Sequence, residues 1–139
     1  MIVLLFNCGC SKKIEVKENE DSREVILKGK IVTKKFYGPP NYGETPDTDA
    51  IESFYFLILD KPIIIETNGT TDKVSEFQMI LFNKYQKTIS EQAEYIIRGN
   101  LFLAHTGHHH SKVLISVNEL KETSGIKATH RRRAPKSPK

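Results

Sequence analysis

Cysteine is confined to positions 8 and 10 of the 139-residue chain, so everything after Cys10 lacks both a disulfide framework and a thiol nucleophile. Two cysteines one residue apart also make a poor mutual bridge. No apolar run approaches the roughly 20 residues that a bilayer-spanning helix needs. The serine-nucleophile pattern GxSxG and the zinc pattern HExxH are missing as well, which leaves covalent catalysis and established metalloenzyme spacing without support. Positive charge is scarce where a nucleic-acid binder would need it. The net charge of +4 is owed to residues 123–139, where Lys127, Arg131, Arg132, Arg133, Lys136 and Lys139 stand without an acid, and upstream of them 15 basic side chains face 17 acidic ones. A body at −2 argues against a phosphate-binding surface.

What is present fits one small domain. A 38% hydrophobic, 27% charged composition is that of an ordinary globular chain, and the length supports one modest core. The tail TSGIKATHRRRAPKSPK has Ile126 and two alanines as its only apolar content and is expected to be disordered. At the other end, MIVLLFNCGC is apolar and closes on cysteine before Ser11, Lys12 and Lys13. It resembles the end of a bacterial lipoprotein signal peptide, with Cys10 as the lipidated residue and Cys8 as the alternative. The basic opening and longer apolar core of such a signal are missing, and a start codon placed too far downstream would account for both. A short buried N-terminal strand is the competing reading of the same run. The expected organisation is a signal remnant at 1–10, a polar tether at 11–23, a β-domain at 24–122 and the tail at 123–139.

From Glu24 the pattern is that of strands. Val25, Leu27, Gly29 and Ile31 alternate with Ile26, Lys28, Lys30 and Val32, and the glycine in mid-strand predicts a bulge or sharp bend. SFYFLIL at 53–59 is apolar on both faces and reads as a central strand; Asp60, Lys61 and Pro62 predict a turn, and Ile63 to Ile65 a third strand. TNGTTD at 67–72 is a loop by composition. VSEFQMILF at 74–82 fits strand or helix, with β-branched and aromatic content favouring strand. NKYQKTISEQ is the one helical segment expected. Tyr95 to Ala104 and Val113 to Asn118 are two alternating strands joined by HTGHHHSK. Strand count, the position of the helix and the mid-strand glycine match a small Greek-key barrel of the oligonucleotide/oligosaccharide-binding (OB) type, a small β-sandwich being the alternative.

Two loops stand out. FYGPPNYGETPDTDA at 36–50 is long, and its prolines and glycines suggest a stiffened loop that holds polar groups rather than a floppy linker. The other places His105, His108, His109 and His110 within six residues. In an OB barrel these are the connections that flank one binding face. Alternate histidines share a side of an extended backbone, so His108 and His110 with Asp47 or Glu44 are the expected ligands of zinc or another divalent transition metal. Tyr37, Asn41, Tyr42, Glu44, His105 and His109 are the expected contacts to a small ligand. The competing structural reading is that the carboxylates of Asp47 and Asp49 cap turns and that the imidazoles only fasten one loop to the other.

FYGPPNYGETPDTD followed by LFLAHTGHHHSKVLISV also resembles an uncharacterised family of bacterial exported proteins, a domain of unknown function with these two blocks as hallmarks, over roughly residues 24–121. The resemblance implies export and a shared role for the loops. It supplies no activity, cofactor or catalytic residue. The expected function is therefore a lipid-anchored module at the bacterial cell envelope, periplasmic or on the outer surface, that binds a small ligand, a metal ion or an envelope protein through the two loops. A hydrolase using His108 or His110 as general base beside Glu44 or Asp47 is the alternative, and OB-type oligonucleotide binding a third.

Overall fold

The computed structural model describes residues 3–4, 13–18 and 24–123. Cys8, Cys10 and the basic tail from residue 124 lie outside the described residues. The strands are β1 (Val3–Leu4), β2 (Lys13–Glu15), β3 (Glu24–Tyr37), β4 (Ile51–Thr67), β5 (Thr70–Ile80), β6 (Glu94–Leu103) and β7 (Val113–Glu122), with a single turn of helix, α1 (Asn83–Gln86), before β6.

Five of these strands close on themselves. β3 pairs antiparallel with β4, β4 with β5, and β6 with both β3 and β7, while β5 and β7 complete the ring in parallel. This is the connectivity of an OB-type Greek-key barrel, so the fold is mainly β and barrel-like. Alternation along each strand sends Val25, Leu27, Ile31, Leu57, Phe77 and Ile97 inward to a continuous core. Each such side chain stabilises by about 1.5–3 kcal/mol relative to exposure.

Gly29 makes the closure possible. β3 changes partner there: residues 24–30 pair with β6 and residues 29–37 with β4. A Cβ at Gly29 would lie 2.2 Å from the Ile58 carbonyl oxygen, so only glycine admits the approach of the two backbones. The glycine expected to mark a bulge or bend is the point at which β3 exchanges one partner for the other. Gly99 plays the same part beside the β6–β7 irregularity, its Cβ position being 2.3 Å from the Ser116 oxygen.

Three local expectations need correction. Asp60, Lys61 and Pro62 do not turn the chain; β4 runs through them with a register shift between Ile58 and Ile63, because a proline without an N–H interrupts the ladder without ending the strand. The TNGTTD loop shrinks to Asn68 and Gly69, whose φ values of 49° and 80° make the tight mirror-image turn that suits twisted hairpin strands. Within the stretch read as a polar tether, Lys13–Glu15 pairs in parallel with Ile64–Glu66, and Ile14 and Val16 are buried in the core. Their spacing of two is a strand signal that the surrounding charges mask. Val3 and Leu4 likewise pair in parallel with Val25 and Ile26.

Candidate functional site

The connection between β3 and β4 (38–50) is organised around one carboxylate. Asp49, buried, accepts hydrogen bonds from the backbone N–H groups of Asn41 (2.9 Å), Gly43 (2.8 Å) and Thr45 (3.2 Å) and from the Thr45 hydroxyl (3.1 Å). Burial acts to raise its pKa, but the hydrogen bonds from Asn41, Gly43 and Thr45 outweigh it and hold the carboxyl below its ordinary value. The hub fixes a backbone that Tyr42 (φ 51°) and Gly43 (φ 102°) carry through the left-handed region, where a tyrosine sits only under constraint. The Pro39–Pro40 peptide is cis, and Gly38 and Ala50 close the base of the loop through the Gly38 N–H to Ala50 carbonyl bond (2.7 Å). Of the two acids weighed as turn-capping groups, Asp49 caps. Asn41 is a fastener too, donating from its side chain to Thr45 (2.8 Å). Glu44 and Asp47 are exposed.

The connection between β6 and β7 (104–112) is held from outside. Gln78 on β5 is fully buried on the barrel's outer surface, between its ladder neighbours Phe56 and Leu114. Its side-chain amide donates to the His108 carbonyl (2.8 Å) and accepts the His110 N–H (2.5 Å). Its own N–H donates to the Ser111 hydroxyl (3.0 Å), which donates to the Val113 carbonyl (2.8 Å). The loop therefore lies across the β4–β5 face. His110 stacks on Phe36, with ring centroids 3.9 Å apart and planes 3° from parallel, and tilts against Phe54 at 5.2 Å. Burial there disfavours the imidazolium and lowers the His110 pKa against the opposing pull of Glu52; His108 adds to the lowering.

The two loops meet. His108 Nδ1 lies 2.8 Å from the Glu52 carboxylate at the start of β4. A carboxylate only accepts, so the proton sits on Nδ1 and Nε2 is the basic nitrogen. Gly38 leaves room for this contact, since a Cβ there would stand 2.7 Å from the Glu52 carboxyl carbon. Tyr42 meets the His108 ring edge-on at 6.0 Å and rests against Gly107. Between the loops runs a groove of about 490 Å³ lined by Lys35, Phe36, Tyr37, Tyr42, Gly107 and His110.

The histidines do not share one focus. His105 and His109 pack edge to face at 4.7 Å against Phe102, apart from the groove lining. His105 offers its Nδ1 proton to the Leu103 carbonyl (3.1 Å), and His109 Nδ1 accepts the His105 N–H (3.1 Å). Burial lowers the His109 pKa, and the neighbouring imidazoles lower it further. Among the described residues no group of three or more His, Cys, Asp or Glu is gathered to hold a metal ion. Of the residues expected at a site, the groove brings together Tyr37, Tyr42 and His110, with His108 beside them. Lys35, Phe36, Glu52 and Gln78 were not foreseen. Only Gln78 leaves a trace in the sequence, as the one polar residue inside the apolar run FQMI.

Residues 77–121 match a domain of unknown function (DUF4431). The matched segment carries Gln78 and the whole histidine loop, and the proline-rich loop precedes it. No curated protein matches the chain.

Proposed function

We propose that this chain is a binding module, tethered at the bacterial cell envelope through a lipid on Cys10, that takes a small ligand in the groove between loops 38–50 and 104–112. The observation that carries the reading is a contrast within the groove. Its walls are fixed by the Asp49 hub and the Gln78 clamp, yet Tyr37 and Tyr42 stay 42% and 47% exposed at its mouth. Rigid walls with unsatisfied aromatic surface reduce the ordering cost of binding, which is what a preformed site requires. The barrel class supports the reading, since its ligands sit at these two connections. The slightly acidic body counts against an oligonucleotide.

The test is a small-molecule screen against tag-free protein by amide NMR. Ligands should perturb Tyr42, Gly107 and His110 together, and hits scattered over the barrel, or none at these amides, would sink the idea. Mass spectrometry of the protein isolated from membranes tests the tether: a diacylglyceryl mass on Cys10 supports it, and an unmodified chain starting at Met1 removes it. Lipoprotein-type processing before Cys10 would also remove β1.

The Glu52–His108 pair favours a second reading, in which His108 Nε2 deprotonates a water held in the groove for hydrolysis. Loss of an observed hydrolytic activity in both His108→Ala and Glu52→Gln, with ligand affinity kept, would select it over simple binding. A zinc or other divalent metal site at His108, His110 and Asp47 is tested separately. Zinc should raise the melting temperature of the tag-free chain, and an unchanged melt with no metal by elemental analysis ends that version.

A further inference from the structure

We propose that the groove selects a ring-bearing anion, a small molecule whose flat ring carries a carboxylate or phosphate, with Lys35 as the residue that pairs the anion; this rests on reading the groove as the binding site. The lining residues contain one lysine, four aromatic or imidazole side chains and no acid. Glu52, outside the lining, is committed to His108. Several other cations on the barrel have carboxylate partners: Lys34 with Glu76 (2.5 Å), Lys28 with Glu94 (3.0 Å), Lys112 with Asp72 (2.5 Å) and Arg98 with Glu24 (3.1 Å). Among the described residues Lys35 has none, and its cross-strand neighbour is Ser53. Strand alternation puts Lys34, which reaches Glu76, and Lys35, which lines the groove, on opposite faces of β3.

The backbone adds a second donor at the same place. β6 pairs with β3 only as far as Lys30, so residues beyond it have one edge without a strand partner among the described residues. The Gly38 N–H bonds to Ala50 on the β4 side, and in an antiparallel ladder the residues at 36 and 34 therefore face β4 as well, while 33, 35 and 37 face the open edge. Thr33 obeys this pattern, its N–H being capped by the Glu91 carboxylate at 2.9 Å. The Lys35 N–H has no such cap among the described residues. One residue thus brings both a cationic side chain and an uncapped edge N–H to a groove whose lining holds no acid, beside exposed Tyr37 and Tyr42 faces on which a ring can lie.

Amide NMR titration of the tag-free chain decides the matter, using benzoate and phenyl phosphate as ring anions, benzyl alcohol as the neutral ring, benzylamine as the cation, and acetate and inorganic phosphate as anions without a ring. Both ring anions, or one of them, should perturb Lys35 and Tyr42 and bind at least roughly fivefold more tightly than benzyl alcohol, with affinity falling as salt rises. Whichever of the two binds more tightly identifies the acid. Lys35→Met should weaken the ring anion by about fivefold at an unchanged melting temperature, and Lys35→Arg should keep most of the affinity. Equal binding of benzyl alcohol or benzylamine, or an affinity indifferent to Lys35→Met, overturns the inference. Benzyl alcohol alone shifting Tyr42 and Gly107 would defeat the anion and keep the groove. Silence of those amides toward every probe would defeat both.

Discussion

The proline-rich loop and the histidine loop form the two sides of one groove but are stabilised in opposite ways. The first is self-contained: Asp49 gathers Asn41, Gly43 and Thr45 from within a dozen residues, and the loop would keep its shape wherever its ends were joined. The second borrows its shape. Gln78 reaches it from 30 and 32 residues away, Glu52 from 56, and Phe36 lends His110 a ring to lie on. Local order survives local damage elsewhere, whereas borrowed order fails when a distant residue is changed. The histidine loop is therefore the side of the groove that can be released without unfolding the other.

The largest expected effect comes from cutting the borrowed support. Gln78→Ala leaves the His110 N–H and His108 carbonyl without partners and opens space between Phe56 and Leu114. The cost is about 2–4 kcal/mol, or a fall in melting temperature on the order of 15 °C. Hydrogen exchange should speed at the His110 amide while the Gly43 and Thr45 amides keep their protection. Equal loss of protection in both loops would mean that they are one cooperative unit and would break the contrast.

Asp49→Ala is the reciprocal change, with a melting temperature lower by roughly 5–10 °C, because water can replace part of the hub at the surface. Protection should be lost at Gly43 and Thr45 and kept at His110. Acid should mimic the variant. The folded carboxyl sits below its ordinary value of 3.8, so its contribution is complete above that pH and is lost as pH falls through the folded value. A melt of Asp49→Ala that tracks wild type at neutral pH would remove the hub from the account.

The same contrast explains what was readable in the sequence. Self-contained order leaves its cause in the local composition, so the stiffness of 36–50 follows from its prolines, its glycines and Asp49, and turn capping by an aspartate was expected. The barrel is legible for a related reason. Period-two alternation and Gly29 are local marks of a strand that bends, and strand order then supplies the meeting of the loops. Borrowed order is written elsewhere. Nothing near HTGHHH names Gln78 or Glu52, and a cluster of four histidines invites a metal reading because sequence does not show which way each ring turns. His110 turns onto Phe36, His108 to Glu52, and His105 with His109 toward Phe102. The docking of Ile14 and Val16 was hidden for the opposite reason, two apolar residues being too few to outweigh the charges around them.

A smaller effect is expected at the seam. Glu52→Gln and His108→Ala should each cost less than about 1 kcal/mol, since the pair is partly solvent-accessible. Their value lies in what they separate. If the seam only aligns the loops, Glu52→Gln should weaken the Tyr42–His108 ring contact in NOE spectra, and both variants should leave protection at Gly43 and His110 intact. Protection lost on either side would show that the loops support one another after all.

The smallest change in stability should come from His110→Phe, which keeps a flat ring over Phe36 and removes an Nε2 that is buried without a hydrogen-bond partner. At pH 8 the substitution should be neutral or slightly stabilising, because no buried nitrogen is left unpaired. The pH dependence carries the information. Burial holds the His110 pKa below its ordinary 6.5, so the folded state binds fewer protons than the unfolded one as the imidazole titrates. The stabilisation is complete above 6.5 and declines as pH falls from there through the folded value. His109, lowered by burial and by its neighbours, contributes in the same direction. Wild type should lose melting temperature between pH 7 and pH 5 with the histidine loop opening first by hydrogen exchange, and His110→Phe should flatten part of that slope, leaving the share owed to His109. A slope unchanged by His110→Phe would assign the acid sensitivity to other groups and leave the stacked imidazole as packing alone.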